Sequence, residues 1–425
     1  MDVFWISVLM LALMLIRVPV AFSMGLAAVA ALVYSGVPLI LVPQRMFSSL
    51  NSFSLIAIPL FIFVGDALNT GGITTRIFDF CRKYCGHIRG GLGHVNVMAS
   101  IVFAGKTGSA VSDVYGLGQI EIKAMREAGF DDDFSAAVSA ASSIIAPVTP
   151  PSIPLVVYGV LAEQSIGRLF LGGVVPGLMI ATGLFIVVYI ISVRRNYPVD
   201  KKAPWDERIR ATIPAIPALI APILLLAGIG FGIITPTEVA ALIAVYAIFL
   251  GLFIYRELTL KDIYKMFLKA AKNSAGVLII IASANILTWY IQRSGVPTRI
   301  TEWVLSLTSN KVMILLMVNV MLLFIGCFFE SLSIIMLMTP ILIPTMVALD
   351  VDLVHFGVFL VFNCMIGLIT PPMGLCLFII CKIAEQPMGK VVIALLPFVS
   401  VLIVILLMIT YYPPLVLWLP NLLMG

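Results

Sequence analysis

Two stretches decide the fold of this chain: residues 142–159, SSIIAPVTPPSIPLVVYG, and residues 363–380, NCMIGLITPPMGLCLFII. Both are apolar, yet each carries Thr-Pro-Pro at its centre. Consecutive prolines remove two N–H donors and push the preceding residue out of the helical region, so a helix must unwind near Thr149 and near Thr370. Backbone unwound at bilayer depth is tolerated only where it is buried in protein or lines a cavity. That cavity is the candidate site.

The two stretches are copies. GGITTRI, ending at Ile77, matches SGVPTRI, ending at Ile300, an offset of 300 − 77 = 223, and VNVM at 95–98 recurs at 318–321. After a two-residue slip the offset holds at 221: Gly105 pairs with Gly326, Thr149-Pro150-Pro151 with Thr370-Pro371-Pro372, and Pro176 with Pro397. A register this constant marks an internal duplication.

Composition places the duplication in a membrane. The 425 residues are 61% hydrophobic and 11% charged, with a mean hydropathy of +1.13, whereas soluble domains carry about 25% charged residues. Nearly uncharged runs at 211–234, 236–255 and 391–410 are long enough to cross about 30 Å of hydrocarbon. The N-terminal apolar run shows no A-x-A cleavage site and reads as a retained helix. Six cysteines scattered in apolar segments read as buried thiols, and Cys81, Cys85 and His87 as part of an interfacial basic helix rather than a metal site.

Charge sets the orientation. The basic segments 75–90, 194–210 and 255–272 belong on the cytoplasmic side; such runs signal topology, and nucleic acid is not implied. The counterpart of the first, after Gly295, lies one crossing beyond Lys272 and so on the other side. The two repeats are therefore inverted, a signature of secondary transporters. The expected architecture is an all-α polytopic membrane protein of about nine crossings plus two re-entrant hairpins, N-terminus inside and C-terminus outside.

The hairpins are read from FAGKTGSAVSDVYGLG (103–118) and FIGCFFESLSIIMLMTP (324–340). The GKT is not the end of a phosphate-binding loop, because Ser100 stands where the leading glycine is required. No nucleotide is expected. Unwound segments present carbonyl and hydroxyl oxygens to Na⁺, and half-helix N-termini face an anionic solute. Lys106 is a candidate to neutralise a substrate carboxylate, with Glu330 as acceptor or counter-charge; the alternative is that Lys106 snorkels and Glu330 pairs structurally. Arg17, before Pro19, reads as a helix-break or interface residue.

At these residues the chain resembles a known family. IPLFIFVGDAL, FAGKTGSAVSD, APVTPPSIPLVVYG and GLITPPMGLCLF, in this order, are similar to the large membrane subunit (the M, or DctM-like, component) of tripartite ATP-independent periplasmic (TRAP) transporters. The resemblance covers essentially the whole chain. It implies Na⁺-driven uptake of an organic acid across the bacterial inner membrane by an elevator mechanism, with a small four-helix membrane subunit and a periplasmic solute-binding protein as partners. Family members usually have a serine-rich, uncharged hairpin tip where Lys106 stands.

Carried over by residue, the resemblance implies Na⁺ ions, two or more in all, with a site between each hairpin and its broken helix: Gly105, Ala146, Thr149 and Ser152 for one site, Gly326, Gly367, Thr370 and Met373 for the other. Ser109, Ser112, Ser142 and Asn363 are the polar neighbours assigned to substrate with Lys106 and Glu330, and Pro151 and Pro372 are added as substrate contacts. The expected division is an N-terminal scaffold helix (1–50), repeat 1 with its hairpin and broken helix (51–193), scaffold helices and basic loops (194–272), and repeat 2 (273–425). Rivals are a self-sufficient Na⁺/dicarboxylate symporter of the same superfamily, an ion channel, and an intramembrane enzyme, the last disfavoured by the lack of H-E-x-x-H or G-x-S-x-G.

Overall fold

In the computed structural model, which describes residues 3–70 and 73–425 without the side chains of 3, 4, 69, 70 and 105–107, every regular element among the described residues is a helix. Helices satisfy their own backbone groups, the condition for standing in lipid. Six are long and apolar enough to cross a membrane: Ile166–Arg194, Trp205–Gly230, Pro236–Ile254, Leu260–Arg293, Ser331–Ala348 and Met388–Tyr411. Leu41–Leu50 with Phe53–Leu68, bent by 65°, is long and apolar enough only when taken together. The protein is a multi-pass membrane protein.

The duplication seen in the sequence is a duplication of helices. Gly91–Thr107, Ala110–Gly116 with Gly118–Glu127, Asp132–Ser143, Ile153–Leu161 and Ile166–Arg194 recur as Lys311–Gly326, Ser331–Ala348, Leu353–Gly367, Leu375–Ala384 and Met388–Tyr411. Their starts lie 220 (311 − 91), 221 (331 − 110), 221 (353 − 132), 222 (375 − 153) and 222 (388 − 166) residues apart. Within each copy the first two members form a helical hairpin, and the next two are a helix interrupted at the double proline.

The N-terminal run differs from expectation. It is not one helix: residues 1–50 contain Val3–Leu15, Val20–Tyr34 and Leu41–Leu50. Arg17 takes φ +68 immediately before Val18-Pro19, so the chain breaks where proline removes a donor and a left-handed residue turns the backbone.

Side chains tie the end of each broken helix to the base of the other copy. The Tyr158 hydroxyl, near the end of the first broken helix, donates to Leu353 O (2.6 Å) at the base of the second copy. Its ring lies against Gly357, where an added Cβ would come within 2.1 Å. Reciprocally, Arg126 at the base of the first hairpin donates to Ala384 O (2.9 Å), at the end of the second broken helix. Arg195, just past Ile166–Arg194, pairs with Asp131 (2.9 Å) and Asp133 (3.1 Å) at the base of the first hairpin. Lys311 reaches Asp350 O (2.9 Å) across the base of the second.

Candidate functional site

The two hairpin tips and the two broken helices converge on a cavity of about 910 Å³. Ser109, Ser112 and Tyr115 line it from the first hairpin, Glu330 and Ser331 from the second. Asp66 and the face of Leu260–Arg293 bearing Lys269, Lys272 and Asn273 line the opposite side. Lys269 donates to Asp66 (2.6 Å) with its own side chain 63% exposed, so this end of the cavity reaches solvent.

The first broken helix stops at Ser143 and restarts at Ile153. The Thr149 hydroxyl donates to Ile145 O (2.8 Å), and the Ser152 hydroxyl donates to Pro147 O while accepting from Leu155 N (3.2 Å) as the cap of the restarted helix. Glycines make room for this irregular chain. A Cβ on Gly173 would fall 2.2 Å from Val148 O, and one on Gly177 1.9 Å from Thr149 Cγ2. On the hairpin side Gly108 takes φ +56, and a Cβ there would meet Pro151 O at 2.2 Å.

The second broken helix is built alike and sealed differently. The Thr370 hydroxyl donates to Ile366 O (2.7 Å), and Met373 N donates to Cys327 O (3.1 Å) on the hairpin. Gly367 lies against Gly326 so closely that a Cβ on it would stand 2.6 Å from the Gly326 carbonyl. Both double prolines carry a cis bond between their prolines. Pro150, Pro151 and Ser152 are buried, whereas Pro371, Pro372 and Met373 are exposed.

Of the residues singled out from sequence, Ser109, Ser112 and Glu330 line the cavity. Ala146, Thr149, Pro151, Ser152, Gly326, Gly367, Thr370, Pro372 and Met373 stand in or beside the two seams between hairpin and broken helix and are not among its lining residues. Ser142 and Asn363 are fully buried behind it. Ser142 donates to Asn96 (2.7 Å) and Asn363 donates to Asn319 (2.9 Å), so the same pair of positions ties each broken helix to its hairpin. The readings of Gly105 and Lys106 fall outside the described residues.

Ser109 and Glu330 are equivalent positions, since 330 − 109 = 221, and they do equivalent work. Each caps its return helix: Ser109 accepts from Ser112 N (3.5 Å), and Glu330 accepts from Ser333 N (3.1 Å) and Ser333 Oγ (3.3 Å). Glu330 therefore spends an acceptor oxygen on a helix N-terminus, where the dipole favours it. Sequence reading missed Asp66, Lys269, Lys272 and Asn273. Their signal was present, because positions 269, 272, 273 and 276 share one helical face, but the lysines were credited only with setting topology.

Paired broken helices around a solvent-reaching cavity in a duplicated helical bundle define a membrane permease of the secondary-transporter class. The family model described as "Tripartite ATP-independent periplasmic transporter, DctM component" matches residues 7–415, and the chain belongs to this family, a transport component of the inner membrane. It is 39% identical to the sialic acid TRAP transporter large permease protein SiaM of Vibrio cholerae, over 98% of this chain and 97% of that one. It is 36% identical to the C4-dicarboxylate TRAP transporter large permease protein DctM of Pseudomonas aeruginosa, over 94% of each. The isethionate TRAP transporter permease protein DctMQ of Oleidesulfovibrio alaskensis is 39% identical, over 94% of this chain and 63% of its own length. In structure the chain resembles the YdaH transporter of Alcanivorax borkumensis, with a TM-score of 0.67, 14% identity and 88% of each chain covered, a likeness of fold alone.

Proposed function

We propose that this permease drives uptake of a small organic acid anion with Na⁺, as the large subunit of a tripartite system with a small membrane subunit and a periplasmic binding protein. The reading rests on one observation. In both broken helices the threonine hydroxyl spends its hydrogen on a carbonyl, Thr149 on Ile145 and Thr370 on Ile366, and the Ser152 hydrogen goes to Pro147. What remains to face the seams is oxygen lone pairs, a neutral, hard donor set that fits an alkali cation. Ala146, Thr149 and Ser152 with Gly105 would hold one Na⁺, and Gly326, Gly367, Thr370 and Met373 the other. Bound Na⁺ would supply positive charge at the seam and fasten each hairpin to its broken helix.

The anion would sit at Ser109 and Ser112 rather than at Glu330, whose carboxylate already occupies the second helix N-terminus. Lys269 and Lys272 at the open end favour an anion's passage. The hairpins are read as re-entrant and the repeats as inverted, because Arg195 and Ala384 meet the base of the first hairpin while Tyr158 meets that of the second. On this reading the hairpins and broken helices move together against Trp205–Gly230, Pro236–Phe249 and Leu260–Arg293, with the cavity open toward the lysine-bearing face. Ala57–Thr70 packs on the last two of these helices and would stay with the scaffold.

Reconstituted with both partners, the protein is expected to take up the cognate acid only under an inward Na⁺ gradient, indifferent to ATP, and to take up little alone. Uptake sustained by ATP without Na⁺ rejects the coupling. Full uptake by this chain alone from free solute rejects the tripartite reading.

A further inference from the structure

One polar cluster belongs to neither seam. Glu121, on the return arm of the first hairpin, is 2% exposed, and its Oε1 has no hydrogen-bond partner among the described residues. No basic side chain among them forms an ion pair with it. Asp113, two turns earlier and also buried, repels it, and the Ser100 hydroxyl donates to Asp113 (3.1 Å). Burying a carboxylate without a paired cation costs far more than burying the neutral acid, so such a group keeps its proton.

The surroundings of Glu121 are directional. The Ser142 hydroxyl donates to Asn96 Oδ1 (2.7 Å), and the Asn96 amide donates to Ser139 Oγ (2.6 Å). The hydrogen of Ser139 is thereby left for the Glu121 carboxyl it faces. This chain runs from the hairpin arm to Ser142, the penultimate residue of Asp132–Ser143, where the first broken helix begins to unwind. The Asn96 and Ser142 positions recur in the second repeat as Asn319 and Asn363, but the acids do not: at an offset of 221, Glu121 becomes Leu342 and Asp113 becomes Ile334. The cluster is therefore an addition to the duplicated plan. Its other neighbours are Cys81, which Glu121 influences, and Cys376, which Asp113 influences. His94 is stacked on Phe185, Asp132 and Asp133 are held by Arg126 and Arg195, and the Lys106 side chain lies outside the described residues.

We infer that Glu121 is a proton site: it holds a proton in this conformation and exchanges it with water when Na⁺ fastens the first hairpin to its broken helix or leaves it. A proton suits the cluster better than a metal ion, because Asn96 Oδ1 and Ser139 Oγ already accept hydrogen bonds. In the exchange the carboxyl O–H bond breaks, the electron pair stays on oxygen and the proton passes to water at the base of the hairpin. The exchange half of the inference rests on the Na⁺ reading above.

The test uses the purified full chain in nanodiscs. At neutral pH its infrared spectrum is expected to contain the C=O absorption of a buried protonated carboxyl, lost in Glu121→Gln and in Glu121→Leu, the latter matching what the second repeat carries. Adding NaCl, with KCl as control, is expected to release protons to a pH indicator from the protein and not from the variants. Equal carboxyl absorption in all three proteins overturns the site whatever Na⁺ does. Absorption lost in the variants but proton release equal to theirs, or no release at all, overturns the exchange. Na⁺-driven uptake is measured separately and stands or falls independently of the absorption.

Discussion

The two repeats share a plan and differ in how each closes over its broken helix. In the first, Pro150, Pro151 and Ser152 are buried, backed by Gly173 and Gly177 and crossed in front by Gly108. In the second, Pro371, Pro372 and Met373 are exposed, and closure depends on the contact of Gly326 with Gly367 and the bond from Met373 N to Cys327 O. The positions equivalent to Gly173 and Gly177 are Ala394 and Phe398, so the second copy has no matching pair of glycines to pack over its break. Duplication thus preserved the break and the threonine before it, while the enclosure diverged. The two seams then stand in unequal surroundings, one enclosed by protein and one open.

The strongest break of this comparison is at one pair of positions. Gly367 corresponds to Ala146, since 367 − 146 = 221, so the first repeat already carries the methyl group that the second excludes. A Cβ at Gly367 would stand 2.6 Å from the Gly326 carbonyl carbon and oxygen. Neither is a flexible side chain, so the hairpin must shift. Gly367→Ala is expected to cost about 1–3 kcal/mol, the usual penalty of overpacking, and to abolish uptake, whereas Ala146→Gly keeps most of it. Melting temperature and uptake on the two variants check this. Equal tolerance at both positions would mean that the seams do not differ as described.

A smaller contrast is expected at the threonines. Thr149→Val and Thr370→Val keep shape and remove one oxygen. If each oxygen faces Na⁺, half-saturation by Na⁺ rises; a lost ligand worth about 1–2 kcal/mol gives roughly a five- to thirtyfold change. Thr149 is expected at the upper end, because its neighbours Pro150 and Pro151 exclude the water that can replace the lost hydroxyl beside exposed Pro371 and Pro372. Unchanged Na⁺ dependence with lower thermal stability in both variants would reduce the threonines to backbone caps.

How far this was legible in sequence follows from the same residues. Helical breaks at Thr149 and Thr370 could be read because proline acts on local backbone, whatever surrounds it. The duplication could be read because Thr-Pro-Pro recurs at a fixed offset. The break at Arg17 was noticed but not the separate helices around it, since two short apolar helices and one long one have the same composition. The cavity wall at Asp66, Lys269 and Asn273 was not found, because it depends on which helix lies opposite the hairpins, a long-range fact. Ser142 and Asn363 drew attention as polar residues near the break; that they turn toward Asn96 and Asn319 follows from packing between helices that periodicity does not contain.

The smallest effect concerns the hairpin bases, where Asp131 and Asp352 are equivalent, again 221 apart. Asp352 caps Leu353–Gly367 by accepting from Val354 N (2.7 Å) and His355 N (3.1 Å). Asp131 precedes Asp132–Ser143 without a side-chain cap bond and instead accepts from Tyr197 (2.7 Å) and Arg195 (2.9 Å). The Tyr197 hydroxyl foremost, with the Arg195 guanidinium beside it, holds the Asp131 carboxyl below its ordinary value against a weaker opposing effect of burial. A carboxyl lowered by folding stabilises the fold above its unfolded value, about 3.9, and that contribution is lost as pH falls through the folded value. With the Asp131 side chain 57% exposed, solvent screens the pair, and Asp131→Asn is expected to cost only about 0.2–1 kcal/mol at neutral pH. The difference from the unmodified protein should vanish in acid, below the unfolded carboxylate range. Asp352→Asn should cost a few tenths at most, because asparagine is about as good an N-cap as aspartate. Thermal unfolding of both variants across pH checks this, and a larger loss at Asp352 than at Asp131 would mean that the second hairpin base, not the first, is the one held by charge.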